Sequence, residues 1–326
     1  MFAATFLPAM WQTFSRSGSW ATFFGLSMIL VMAGSGEWIA ERAGTINISL
    51  EAMILGGHFA AAYVYQNGLR IGFKVLPAHN FPAGIIAAMV AGLAVSWLQA
   101  NLSHRLTADQ FVVGLTLNIL VLGLAQFLNS QLKLQSGDLA QAGVWKVPLL
   151  FHLPGVGRAM FSQRWPFYLG IPAVATAWWL TLRTRWGLEI RSVGEDPQAA
   201  DVSGIHVNKR RRQSIYVCGL FGGLAGAYLL FALVFSFEPA NVGGRGIIAI
   251  AAVIFGGWTL RGMVAGSLLF GITAGFKLVL PSVHYTLNDQ LLQALPYLAA
   301  LGVMAVFAHR TRQPAGLSRP FVRGLK

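Results

Sequence analysis

Eleven acidic side chains are spread over 326 residues, so the positions they take are informative. Three fall in one short stretch, Glu37-Trp38-Ile39-Ala40-Glu41-Arg42-Ala43-Gly44-Thr45-Ile46-Asn47-Ile48-Ser49-Leu50-Glu51, within and between the first two apolar runs. An ionisable group at bilayer depth costs roughly 2.5–3.5 kcal/mol on insertion scales and usually faces a bundle interior or an aqueous cavity. Glu37, Glu41 and Arg42 read either as a solvated turn or as part of such an interior. Glu51 stands well inside an apolar run that continues to Gln66, which favours a buried, hydrogen-bonded role, structural or substrate-facing.

A second group is Asp109-Gln110 followed by Thr116-Leu117-Asn118. Asn118 lies in the middle of an apolar run, where an amide must find a partner across helices or a ligand in a cavity. A third is Gly194-Glu195-Asp196-Pro197-Gln198-Ala199-Ala200-Asp201-Val202-Ser203-Gly204-Ile205. Acidic residues and Pro suit the first turn of a short helix and Gly suits its stop. That helix either lies passively on a surface or docks into a partner's groove.

Enzymatic motifs are missing. The chain has no G-x-x-x-x-G-K-[ST], no H-E-x-x-H and no G-x-S-x-G, so it carries no P-loop for ATP and no zinc-protease or nucleophile-elbow signature. Its seven His are scattered singly and its one Cys, Cys218, lies in an apolar run, as a packed helix residue would. No disulfide within the chain, no metal and no cofactor are expected.

The elements that must position these groups follow from composition. The set AVILMFWYC makes up 55% of the chain and charged residues 11%. With Gly added and Tyr removed, the apolar fraction is about 64%, against roughly 45–50% in soluble domains. This excludes a soluble enzyme and intrinsic disorder and points to an all-α polytopic membrane protein. Apolar runs near 20–36, 46–66, 81–100, 110–130, 166–183, 214–236, 246–259, 262–280 and 291–308 predict a bundle of about nine transmembrane segments. The seventh is short enough to cross only part of the bilayer or to belong to a broken helix. The 19 residues before the first run hold only Arg16, a poor basic region for a cleaved signal peptide.

A net charge of +13 would suggest nucleic acid binding in a soluble protein; in a membrane chain it reads as basic cytoplasmic loops, and no nucleic acid partner is expected. Nine crossings put the N-terminus outside and the C-terminus inside. The loop 183–213, with Arg183, Arg185, Arg191 and Lys209-Arg210-Arg211-Arg212, and the tail 309–326, with Arg310, Arg312, Arg319, Arg323 and Lys326, then share the inner side, as the positive-inside rule requires. The expected organisation is an N-terminal segment 1–19, a single transmembrane domain 20–308 and a basic cytoplasmic tail. The 131–165 connection, with Gln131, Lys133, Gln135, Asp138 and Gln141, falls outside. Gly219/Gly223, Gly222/Gly226, Gly262/Gly266 and Gly271/Gly275 are spaced to let helices approach closely.

The stretch Glu41 to Glu51 resembles the E-R-x-G-x-x-N-[IL]-x-[LV]-E signature of ABC importer permeases in the branched-chain amino acid/ribose/nucleoside permease family. Residues 194–205 resemble that family's G-E-[ND]-P-x-A-A-x-x-x-G-I loop, and Gly244 to Gly256 its G-R-G-[FI]-x-A-[IL]-A-A-V-I-F-G segment. Thr116-Leu117-Asn118 is similar to its T-x-x-L-N helix, with two residues fewer between Thr and Asn. The likeness spans about 20–308 and is nearest to nucleoside-type and simple-sugar-type members, although Ala52 stands where the nucleoside type usually has Gly.

The resemblance implies a non-catalytic permease subunit in a bacterial cytoplasmic (inner) membrane. Its partners would be a separate ABC ATPase, a second permease chain, identical or related, and an extracytoplasmic substrate-binding protein. It assigns Gly194, Glu195, Asp196, Pro197, Ala199, Ala200 and Gly204 to a short cytoplasmic coupling helix against the ATPase. Asn47, Glu51 and Asn118 become the polar groups expected to line or support a pathway for nucleosides or simple sugars. Within the family the alternative is a branched-chain amino acid permease; from another class it is an ion-coupled secondary carrier or a channel.

Overall fold

The computed structural model describes residues 2–71, 74–132, 134, 141–148, 150–152, 157–283, 288–307 and 313–322. Lys133, Gln135, Asp138, His284, His309, Arg310, Arg312, Arg323 and Lys326, which entered the reading above, lie outside the described residues. The chain begins with α1 (Phe2–Ser15), then α2 (Ser17–Arg42) and α3 (Leu50–Asn67). A two-stranded hairpin, β1 (Leu69–Ile71) and β2 (Lys74–Leu76), pairs Arg70 with Val75. Next come α4 (Phe81–His104), α5 (Gln110–Leu132), β3 (Val144–Lys146), α6 (Gly157–Phe161) and β4 (Ser162–Arg164), with Trp145 opposite Gln163. After these stand α7 (Gly170–Arg183), α8 (Arg185–Glu195), α9 (Pro197–Val202) and α10 (Val207–Tyr228), which continues as a π turn, Leu229–Val234. The last three helices are α11 (Arg245–Phe255), α12 (Leu260–Val279) and α13 (Asp289–Phe307).

Five helical stretches are long and apolar enough to cross a membrane: Ser17–Arg42, Phe81–His104, Gln110–Leu132, Val207–Val234 and Leu260–Val283. Helices α3, α7, α11 and α13 coincide with four further apolar runs. The seventh run is shorter as a helix than as a sequence: α11 has 11 residues, about 17 Å at 1.5 Å per residue, or roughly half of a ~30 Å hydrocarbon core. It stops where Gly257 and Trp258 take positive φ, 63° and 55°.

Helix α10 is the hub, packed on α4, α2 and α3. Its glycines explain how. A Cβ at Gly223 would stand 2.2 Å from the Ala88 carbonyl on α4, and one at Gly226 would stand 2.3 Å from the Ile54 carbonyl on α3. The two glycine pairs on α10 therefore serve two different neighbours. Without water to drive helices together in lipid, such backbone contact is what holds them. The exposed surface carries the opposite chemistry: Phe111, Leu115, Ile119, Leu122 and Phe127 of α5 are all exposed, an apolar face suited to acyl chains or another membrane chain.

Two expectations change in this fold. Helix α2 continues past the first carboxylate to Arg42, and Glu37 and Glu41 are fully buried, so the solvated-turn alternative does not hold. The basic run 209–212 lies in the first turns of α10 rather than in a loop, and Arg211 is fully buried.

Candidate functional site

Between α2 and α3 the backbone leaves the helical form over residues 43–49 while staying inside the bundle. Irregular backbone at membrane depth survives only where protein or a water-filled cavity satisfies its polar groups. Here side chains from three helices, α2, α4 and α5, do so. Glu37 Oε1 accepts the Asn47 amide at 2.9 Å, and Gln110 Oε1 accepts the Ile46 amide at 3.2 Å. Thr45 Oγ1 pairs with His104 Nε2 at 3.0 Å. Asn118 reaches across from α5 with both ends of its amide: Oδ1 accepts from Ala52 N at 2.9 Å and Nδ2 donates to Ile48 O at 2.9 Å. Ala52 N is one of the amides that the start of a helix leaves without an internal partner.

Asn47 itself is fully buried. Its Oδ1 accepts from Ser49 Oγ at 2.7 Å, and its Nδ2 donates to Met53 Sδ and Cys218 Sγ at 3.3 and 3.2 Å. Cys218 donates in turn to Glu37 Oε2 at 3.4 Å. One turn along α2, Glu41 accepts a hydrogen bond from Trp258 Nε1, and the Trp258 carbonyl accepts Trp38 Nε1 at 2.8 Å. The sequence drew attention to these carboxylates; their partners come from 10 to more than 200 positions away.

Glu51 performs the same service for the half-length helix α11. Its Oε1 accepts Gly244 N at 2.7 Å and its Oε2 accepts Gly246 N at 2.6 Å. A carboxylate there compensates both the unpaired amides and the positive end of the helix dipole. Gly246 passes so close that a Cβ would meet Glu51 Cα at 2.7 Å. Arg245, which the sequence showed only as part of a motif, adds a cation beside this carboxylate and donates to the Asn241 and Val242 carbonyls. Nearby, His58 is fully buried with its ring 5.0 Å from that of Phe237. The arrangement is a broken helix whose N-terminus, charged groups and aromatic rings meet inside the bundle. Among the described residues no cluster of His, Cys, Asp and Glu is placed to hold a metal ion.

The third group forms a separate site at the end of the bundle where α2 stops and α10 starts. Helix α9 runs Pro197–Val202 with Asp196 as its N-cap: Oδ1 accepts Gln198 N and Ala199 N, both at 3.0 Å. Gly204 ends it with φ of 87°. Ala200 is buried against the body, whereas Val202 is 90% exposed. A short capped helix with an apolar side chain at its outer tip can present a surface and has no reactive group. Glu195 pairs with Arg42 at 3.6 Å, and Glu189 with Arg210.

The family model described as branched-chain amino acid transport system / permease component matches residues 19–304. The nucleoside ABC transporter permease protein NupC of Lactococcus lactis is 33% identical over 297 residues, covering 87% of this chain and 90% of that one. The guanosine ABC transporter permease protein NupQ of Bacillus subtilis is 32% identical, covering 90% and 93%. The putative glucose ABC transporter permease protein TsgC13 of Haloferax volcanii is 32% identical, covering 87% and 89%. No solved structure matches. With a bundle of apolar helices and a match over nearly its whole length, the chain belongs to the family of branched-chain amino acid transport system permease components, and it is a multi-pass membrane subunit of an importer, a transport component without catalytic function of its own.

Proposed function

We propose that this chain forms, with a second permease chain, the translocation pathway of an importer for nucleosides or simple sugars. The observation that carries the coupling part of this reading is α9: a capped six-residue helix at the end of the bundle, with Val202 90% exposed at its tip. An apolar residue so exposed is suited to insertion into a partner's groove, and the partner proposed is the ABC ATPase. ATP-driven closure of the ATPase pair would push on α9 and switch the bundle between outward- and inward-open arrangements, a rearrangement of packed elements between two states. An extracytoplasmic binding protein would deliver the cargo to the opposite end, where the β1–β2 and β3–β4 hairpins lie in the connections on the far side of α3 and α5.

In this reading the nine helical runs cross or enter the membrane nine times, with the N-terminus outside and α9 and the tail inside. Glu51, Asn118 and Asn47 support the pathway rather than react: Glu51 and Asn118 fix backbone where a helix is interrupted, and the Asn47 side chain ties Ser49, Met53 and Cys218 together. The class of cargo rests on the names of the three relatives, two of which concern nucleosides and one glucose. Two experiments test the proposal. Replacing residues 196–200 by Gly-Ser is expected to abolish substrate-stimulated ATP hydrolysis with membrane insertion intact; unchanged stimulation refutes the coupling role. Uptake competition among nucleosides, pentoses and leucine is expected to favour the first two, and competition by leucine alone would return the chain to amino acid transport.

A further inference from the structure

Among the described residues, Arg211 is the largest side chain that is fully buried. A guanidinium keeps its charge in any protein environment, so its burial is tolerable only if its donors are satisfied. Neither ion pair among the described residues involves it. Among the described residues its side chain makes three hydrogen bonds, all to backbone carbonyls: Nε to Ala43 at 3.2 Å, Nη2 to Gly316 at 3.0 Å and Nη1 to Arg319 at 2.6 Å. One acceptor is the end of α2. The other two belong to the C-terminal segment 313–322, more than 100 positions along the chain.

That segment is threaded through the coupling region. Gly316 N donates to Gly194 O at 2.8 Å and Ser318 N to Gly44 O at 3.0 Å. Phe321 packs with Val193, Ala200 and Val207, residues of α8, α9 and α10, and its carbonyl accepts Asn208 Nδ2 at 3.2 Å. At the crossing the chains are closely packed: a Cβ on Gly316 would stand 2.9 Å from the Pro197 ring at Cγ and 3.0 Å from Gly194 O, and one on Gly194 would stand 2.1 Å from Arg42 O. We infer that residues 313–322 are a strap that sets the position of α9 against the ends of α2 and α10, with Arg211 as its fastening. The strap makes the coupling helix move as one piece with Gly44, the residue that leads into the irregular 43–49 segment. Arg211 is thus a positioning residue for coupling, and the tail is part of the coupling unit.

This inference rests on the reading of α9 as the coupling helix, and the test separates the two. Three variants are needed: a chain ending at residue 312, Arg211→Lys, which keeps the charge and loses the planar fork, and Gly316→Val, which keeps every charge and pushes the strap off Pro197. Hydrogen exchange of amides 198–203 in the purified permease is expected to accelerate about tenfold or more in each, with α4 amides unchanged, as local rather than global opening requires. In the complete importer reconstituted in proteoliposomes, the ratio of substrate-stimulated to basal ATP hydrolysis is expected to fall about threefold or more. Should Arg211→Lys fail to fold, Gly316→Val carries the test, since it leaves the buried charge in place. Unchanged exchange in the truncated chain overturns the strap; faster exchange with an unchanged ratio overturns its part in coupling. If Gly-Ser replacement of 196–200 leaves stimulation intact, α9 is not the coupling helix, while the exchange measurement still decides whether the strap holds it.

Discussion

Asn118 offers the sharpest test of the idea that polar residues in the spans hold interrupted helices. Its side chain makes two 2.9 Å hydrogen bonds to backbone, one as acceptor from Ala52 N and one as donor to Ile48 O. Ala52 is 1% exposed whereas Ile48 is half-buried, so water cannot replace the partner of the Ala52 amide but can reach the Ile48 carbonyl. Truncation to alanine strands the buried Ala52 amide at about 1–3 kcal/mol and removes the bond to the half-buried Ile48 carbonyl, worth about 1 kcal/mol net. The expected loss for Asn118→Ala is therefore about 2–4 kcal/mol, read from the unfolding midpoint in an SDS titration of the purified permease. Asn118→Asp keeps an acceptor for Ala52 N and turns an oxygen toward the Ile48 carbonyl, so it is expected to lose at least as much as alanine. A ligand-binding asparagine would behave differently, raising KM for uptake at constant stability. An Asn118→Ala variant within about 0.5 kcal/mol of wild type, the ordinary effect of a neutral surface substitution, refutes the clamp.

The next three predictions use the same measurement. Glu51→Gln keeps one acceptor for the two amides of α11 and is expected to cost about 1.5–3 kcal/mol, the worth of one hydrogen bond to a charged group, with Glu51→Ala costing more. Gly223→Ala is expected to destabilise by about 1–3 kcal/mol through overpacking against α4, because its Cβ would stand 2.2 Å from the Ala88 carbonyl. Gly123→Ala on α5, where nothing lies within 4 Å of the added methyl, is expected to be neutral or to stabilise by about 0.5–1 kcal/mol from helix propensity. Cys218 is fully buried and is expected to resist maleimide labelling in native membranes and to react after SDS denaturation; rapid native labelling would contradict its packing between Asn47 and Glu37.

What could be read from the chain alone depended on whether the cause was local. Helix α9 was legible because a cap, a proline and a terminating glycine act within a few residues of one another, and the glycine pairs of α10 were legible as close-packing faces. Which helices those faces meet was not, because Ala88 and Ile54 lie more than 100 positions away. Glu37 and Glu41 looked like the end of a span because apolarity stops at the first carboxylate, yet the partners that let α2 continue are Asn47, Cys218 and Trp258. Arg211 was hidden inside a basic run that reads as solvated. One signal was available: it shares a helical face with Ser214, Ile215 and Cys218, at the i+3, i+4 and i+7 spacing of a buried stripe.

The polar residues of this chain are better understood through the backbone than through their own charge. A span that never breaks satisfies its own amides and needs no polar side chain, which is the normal condition in lipid. Among the described residues this bundle breaks in its interior over 43–49 and before α11, and each break exposes amides that a side chain reaches. Glu37, Gln110 and Asn118 converge on the first break and Glu51 on the second. The two breaks are joined, since Glu51 belongs to the first turn of the helix that the first break begins. A change of position in residues 43–49 therefore moves the carboxylate that holds α11, and Gly44 lies at one end of that segment beside the strap and α8. Interrupted helices make such a shift possible where a continuous helix would transmit only rigid translation, and this gives a physical reason for a membrane protein to keep scarce carboxylates in its interior.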